Sequence, residues 1–208
     1  MRLFATLVPP PGVVYEVRQA VASVSVGRSR PGKRRADAKP ESSTGLRLEH
    51  QLDLMPEFLV QTPVTVFGNL TTPDAHRLVE LLAQEAATWA APRLRLAGGE
   101  ALVWPGDTWV WSRIDGDTPA LDAIAGGVAR VAERLSMYVD RRRFHPLLPL
   151  GQVNDETDGE YLEALVAALE RHVGTTWVQQ ELTLAQGAPP DSSRQAPLAT
   201  YAQLRLGG

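Results

Sequence analysis

The sequence predicts an α+β fold, with sheets covered by helices on their outer sides. Three observations lead there. Short runs that are apolar throughout, or that alternate apolar and polar, recur along the 208 residues and have the length and β-branched content of strands. Between them lie segments with apolar residues three and four apart, the mark of a helix with one buried stripe. The order reads strand, helix, strand, strand, helix, strand, strand, helix, strand, and it nearly repeats in the second half.

Residues 2–8 (RLFATLV) read as a buried first strand that ends at Pro9-Pro10-Pro11. Val13, Val14, Val17, Ala20, Val21 and Val24 then have helical spacing. Residues 27–45, rich in Pro, Gly, Ser and Arg, read as a loop. Leu46, Leu48, Leu52 and Leu54 alternate with polar residues, and His50 shares their parity. Val60 to Phe67 is a β-branched run closed by the turn pair Gly68-Asn69. Thr72 is expected to cap a helix that has Pro73 in its first turn and runs to about Trp89. Leu94, Leu96 and Gly98-Gly99 follow. Strands are expected at Ala101 to Trp104 and Trp109 to Ile114, around the turn Pro105-Gly106-Asp107. Pro119 to Leu135 is amphipathic, Phe144 to Val153 extended, and Asp158 to His172 helical. Trp177 to Ala185 and Thr200 to Leu206 close the fold as strands, joined by a loop at 187–197.

Composition narrows the function classes. The formal charge of −3 argues against coating nucleic acid by bulk charge, although basic residues cluster at 28–35 and at Arg141, Arg142 and Arg143. The first cluster reads either as a solvated loop or as an arm that closes over an anion. The chain has no cysteine, which excludes disulfides, thiolate metal sites and a cysteine nucleophile, and fits a cytoplasmic location. The apolar start is too short to span a bilayer, so no membrane role is expected. No glycine run follows a strand in a dinucleotide or P-loop pattern, and no His and carboxylate set has metal-ligand spacing. No cofactor or metal is expected.

Several collinear blocks resemble the 2H phosphoesterase superfamily, in its bacterial 2′-5′ RNA ligase-like (LigT-like) branch. MRLFATLVPPP at the start resembles that family's first strand and proline turn. Val66-Phe67-Gly68-Asn69-Leu70 resembles the block closing its first catalytic strand. GGEALVWPGDTWVWSR at 98–113 resembles its hairpin, and RRFHPLLPLGQV at 142–153 its second catalytic strand. WVQQELTLAQ at 177–186 and YAQLRL at 201–206 resemble its last two strands. The resemblance spans nearly the whole chain and implies one domain over residues 1–208. That domain would be two pseudo-symmetric lobes of antiparallel sheet with outer helices around a central cleft.

In that family two His-x-Thr/Ser motifs face the cleft from symmetric strands. One imidazole takes a proton while the other gives one, and the hydroxyls hold the phosphate. Residues two apart on a strand share a face, so His and Thr both reach the ligand. Carried over without gaps, the first motif falls on Gln61-Thr62-Pro63 and the second on Leu147-Leu148-Pro149. Neither keeps its histidine or its hydroxyl residue. Gln61 cannot move protons near neutral pH, Leu147 cannot hydrogen-bond at all, and Pro63 and Pro149 each lack a backbone N–H. The resemblance thus implies a degenerate site with phosphodiesterase activity absent.

Other residues can serve a ligand. His145, two before Leu147, is expected on the same strand face, as a displaced catalytic histidine or as a strand-end residue. His50 is a weaker candidate, and His76 and His172 read as solvent-facing helix residues. Thr65 shares parity with Gln61 and Pro63, and reads as a cleft hydroxyl or a core residue. Arg141, Arg142 and Arg143 read as a phosphate clamp or a solvated strand edge. Trp104, Trp109 and Trp111 cluster, and Trp109 and Trp111 share a face, as a stacking surface or as core. Two functions follow. The first is a non-catalytic protein holding a nucleotide, RNA-type or other small ligand. The second is a repurposed enzyme acting on an apolar small molecule; residual 2′,3′-cyclic phosphodiesterase activity through His145 is a further route.

Overall fold

The computed structural model describes residues 1–24, 51–103, 107–139, 143–187 and 198–207. The 27–45 loop, His50, Trp104, Arg141 and Arg142 lie outside the described residues. Among the described residues, nine strands and four α-helices carry the fold, with a 3-10 turn at Glu57–Leu59. They are β1 (Arg2–Leu7), α1 (Pro11–Ala22), β2 (Asp53–Leu54), β3 (Thr62–Asn69), α2 (Thr72–Ala86), β4 (Arg93–Val103) and β5 (Thr108–Gly116). After these come α3 (Thr118–Arg134), β6 (Leu147–Gln152), α4 (Gly159–Arg171), β7 (Trp177–Val178), β8 (Glu181–Gln186) and β9 (Ala199–Arg205).

The strands form two sheets, ordered β3-β1-β8-β9 and β2-β6-β5-β4-β7, and every strand pair in them is antiparallel. The two-lobed α+β expectation is met. Helices α2 and α3 pack on the first sheet, α4 lies on β4 of the second, and α1 packs beside α4. One contiguous core joins Leu3, Ala5 and Leu7 of β1 to Leu78 and Leu82 of α2, Val128 of α3 and Leu165 of α4. No helix among the described residues is long and apolar enough to cross a membrane.

Local chemistry explains most boundaries. Pro11 opens α1, where a missing N–H costs nothing. The Asp158 side chain accepts the Tyr161 N–H at 2.6 Å and so caps α4. At α2 the cap is Thr71 rather than Thr72: the Thr71 hydroxyl accepts the Asp74 N–H at 3.3 Å, and Pro73 sits within the first turn.

Three expectations are corrected. Gly68-Asn69 is no turn, because β3 runs through it to pair Asn69 with Arg2. The strand expected from Ala101 starts at Arg93 and passes through Gly98-Gly99 as a bulge, with Gly98 at φ +86°. The segment Trp177 to Ala185 is not one strand: β7 pairs with β4 of the second sheet and β8 with β1 of the first. The chain changes sheet at Gln179 and Gln180, whose backbones bond Pro92 and Leu206.

Candidate functional site: the open faces of the two sheets

Cross-strand partners share a sheet face, so the register sorts the site residues. In the second sheet, a side chain at Gly99 would collide with Leu169 of α4, which assigns Gly99 and its partner Ser112 to the helix-covered face. Leu148, paired with Ser112, lies there too. The opposite, open face carries Trp111 paired with Pro149, Arg113 paired with Leu147, and Glu100 paired with Trp111. In the first sheet the core takes Leu3, Ala5 and Leu7. Thr6, its partners Pro63 and Thr183, and Phe4 with its partner Ala185 lie on the open face. Phe4, Ala185 and Trp111 are buried yet stand outside the contiguous core, as expected of residues on a second, separate surface.

The two strands that match the motif blocks are built alike. Thr6 faces Pro63 while Ala5 faces Thr65, leaving Val64 as an extra residue in β3. Trp111 faces Pro149 while Val110 faces Gly151, leaving Leu150 as an extra residue in β6. Each strand therefore reads residue, proline, bulge, with its proline on the open face. Gln61 lies just before β3, buried, and its Nε2 donates to the Phe58 carbonyl at 3.3 Å. Leu147 starts β6 and is half-buried.

The Val64 bulge inverts the parity read from sequence. Thr65 pairs with Ala5 and so faces the core, not the face of Pro63. Its hydroxyl is buried with no partner. At β6 a second irregularity intervenes: the Leu147 N–H donates to the His145 carbonyl at 2.8 Å, a three-residue turn at Pro146. His145 therefore precedes the strand and is exposed, as is Arg143. His76 is exposed on α2. His172, expected in solvent, follows α4 with its Nε2 buried and unpartnered.

Trp109 and Trp111 do come together, with ring centroids 6.3 Å apart and planes tilted by 45°. Trp109 is half-buried, and Trp111 is 9% exposed with its Nε1 lacking any partner. Beside them Arg113 lies over Gly98. It donates to Glu170 at 2.8 Å and approaches Glu100 to 3.8 Å. That hydrogen bond holds the Glu170 carboxyl below the usual carboxylate range. Arg113 is thus already engaged, as is Arg95 of the same face, 2.6 Å from Asp115. Among the described residues no cluster of His, Asp and Glu has the make-up of a metal site.

Where the lobes meet, Leu7, Pro9 and Thr62 enclose a cavity with Leu94, Ile114, Leu148 and Trp177. It measures about 10 Å³, roughly the space one water needs. Thr62 and Leu148, the middle residues of the two motif matches, thus line an interior seam and not an open face. Sequence reading also missed Thr6 and Thr183, although alternation along the apolar β1 could have placed Thr6 opposite Ala5. A further group went unforeseen: Glu16 of α1 accepts the Thr175 hydroxyl at 2.7 Å and the Thr175 N–H at 2.8 Å. Those bonds hold its carboxyl below the usual range.

In sequence the chain matches no family model and no curated protein. In structure it aligns over its full length with TT0787 of Thermus thermophilus, at 15% identity and TM-score 0.66, covering 99% of that chain. E. coli LigT complexed with 3′-AMP aligns over 99% of this chain and 97% of its own, at 13% identity and TM-score 0.63. LigT complexed with ATP aligns over 100% and 98%, at 13% identity and TM-score 0.61. Two antiparallel sheets, four helices among the described residues and these alignments show that the chain has the LigT-like 2H phosphoesterase fold.

Proposed function

We propose that this chain binds a nucleotide-type or other small ligand between the open faces of its sheets and does not hydrolyse phosphodiesters. The observation that carries the reading is the parallel construction of β3 and β6. Each has a proline followed by a bulge, and by the resemblance Gln61, Pro63, Leu147 and Pro149 stand at the positions where the family carries His and Thr or Ser. Two proton-transfer groups are needed, one for the attacking oxygen and one for the leaving oxygen, and these four side chains supply neither. LigT, which shares the fold, has been crystallised with 3′-AMP, ATP and NADP⁺, which supports a ligand of that class. Gln61, Arg143, His145, Trp109 and Trp111 are the described residues assigned to binding.

The test is hydrolysis of 2′,3′-cyclic nucleotides and 2′-5′-linked dinucleotides by purified protein, beside LigT at equal concentration. No turnover is expected, together with stabilisation by at least one nucleotide in a thermal-shift screen. Turnover abolished by His145→Ala would overturn the reading and establish a displaced active site. One observation favours a second reading: Leu147, Pro149 and Trp111 give the open face of the second sheet an apolar surface, suited to a hydrophobic small molecule. A preponderance of apolar compounds over phosphate compounds among the thermal-shift hits would select an enzyme or binder of that kind.

A further inference from the structure

We infer that the open face of the second sheet anchors an uncharged, planar, acceptor-bearing group, such as a nucleobase, and that the indole N–H of Trp111 is its donor. The inference rests on the binding reading above and narrows it: the ring of the ligand is recognised, not its phosphate.

Three observations converge. Trp111 is 9% exposed, and its Nε1 has neither a protein acceptor nor access to water. Indole nitrogen can only donate, and a buried polar group without a partner in a native fold calls for an explanation such as a ligand. Next to it stands Trp109, half-buried, its ring 6.3 Å away and tilted by 45°. Trp109 offers a partly exposed π surface beside the Trp111 donor, on which a flat ligand can stack. The third observation is electrostatic. Arg113, a cation of this face, is held by Glu170 at 2.8 Å and lies 3.8 Å from Glu100, and Arg95, on the same face, is paired with Asp115 at 2.6 Å. Glu100 is itself the cross-strand partner of Trp111. A phosphate here would meet a neutralised guanidinium and a nearby carboxylate, whereas a neutral ring meets indole, the Pro149 ring and one unsatisfied donor. Because that nitrogen is shielded, the ligand must displace a neighbouring side chain as it enters.

The experiment uses the full chain with adenosine and AMP as probes, titrated by calorimetry, and the variants W111F and W109F. Phenylalanine at 111 keeps a ring and removes the donor. Adenosine is expected to bind, AMP to bind no more tightly, and W111F to weaken adenosine about tenfold, the worth of roughly one hydrogen bond. W109F, which keeps a stacking ring, should change the affinity less. Indole ¹⁵N–¹H spectra of the unmutated chain give a readout independent of folding defects in the variants. The Trp111 resonance, identified by its loss in W111F, should move on adenosine addition while the other indole signals hold. Equal affinity of adenosine for W111F and the parent chain overturns the inference, as does an unmoved Trp111 resonance at saturation. Tighter binding of AMP than of adenosine overturns the neutral-ring assignment but leaves the binding reading intact. No binding of adenosine overturns the inference alone if the thermal-shift screen finds another ligand, and overturns both readings if it finds none.

Discussion

Strands β3, at the edge of the first sheet, and β6, between β2 and β5 in the second, are built alike, and their likeness and difference are instructive. Both put a proline on the open face and follow it with an extra residue, Val64 or Leu150. Their surroundings diverge. Beside Pro63 the open face is small and polar, with Thr6 and Thr183, and the Thr6 hydroxyl donates to the Thr62 carbonyl at 2.9 Å. Beside Pro149 it is aromatic, with Trp111 and Trp109. The interior seam shows the same division, a hydroxyl residue at Thr62 and an aliphatic one at Leu148. The backbone has kept a symmetric frame while the side chains have specialised, one lobe in hydrogen bonding and the other in apolar contact.

The largest test of this contrast is a matched pair at the seam. Leu148 is fully buried beside an existing void, so Leu148→Ala should enlarge that void and cost about 3 kcal/mol. Thr62→Ala removes less volume and should cost about 1 kcal/mol. Chemical denaturation of both variants measures the difference, and equal losses would break the asymmetry between the lobes. Next in size is Gly99→Ala. A Cβ there would lie 2.5 Å from Leu169, so α4 must shift, at a cost of roughly 2 kcal/mol, read as a lowered denaturation midpoint.

A smaller effect of two signs separates hydroxyls on opposite faces of the first sheet. Thr65→Val replaces an unpartnered buried hydroxyl with an isosteric methyl and should stabilise by up to about 1 kcal/mol. Thr6→Val removes a satisfied bond and should destabilise by about 1 kcal/mol. Thermal melts of the two variants moving in the same direction would contradict the face assignment made from the Val64 bulge.

The smallest effect is on acid stability. Hydrogen bonds from Thr175 and from Arg113 hold the Glu16 and Glu170 carboxyls below their ordinary value near 4.5. A carboxyl lowered in the folded state contributes stability that is fully present above the unfolded value and lost as pH falls through the folded one. Stability should therefore decline below about pH 4.5. Glu16→Gln and Glu170→Gln should each flatten that decline slightly, since both groups are near solvent, as seen in urea midpoints measured from pH 3 to 7, a range of about four units chosen around the ordinary carboxyl value.

Much of this was legible in residue order. Periodicity located the four α-helices of the described residues, because a buried stripe of Val, Leu or Ala repeats every three or four residues whatever it packs against. Strand parity put Trp109 and Trp111 on one face, where their rings lie 6.3 Å apart, because alternation is a property of the extended chain itself. Parity failed where one residue was inserted. Val64 turns Thr65 into the core, and the turn at Pro146 separates His145 from the strand. Nothing in the neighbouring residues announces either irregularity, since a bulge is defined by the partner strand it fails to match. The bulge at Gly98-Gly99, inside a strand expected to begin only at Ala101, went unread for a related reason. Its role is to admit the Arg113 guanidinium and Leu169, which arrive from elsewhere in the chain.

The sequence by itself therefore determined most of the elements and the two-lobed α+β class, because propensity and periodicity are local. Only the tertiary structure decided which residues share an open face, that Arg113 is already engaged, that the Trp111 donor has no partner, and that residues 177–186 divide between two sheets. Those facts depend on register and on contacts across dozens of residues of chain, which no local pattern encodes.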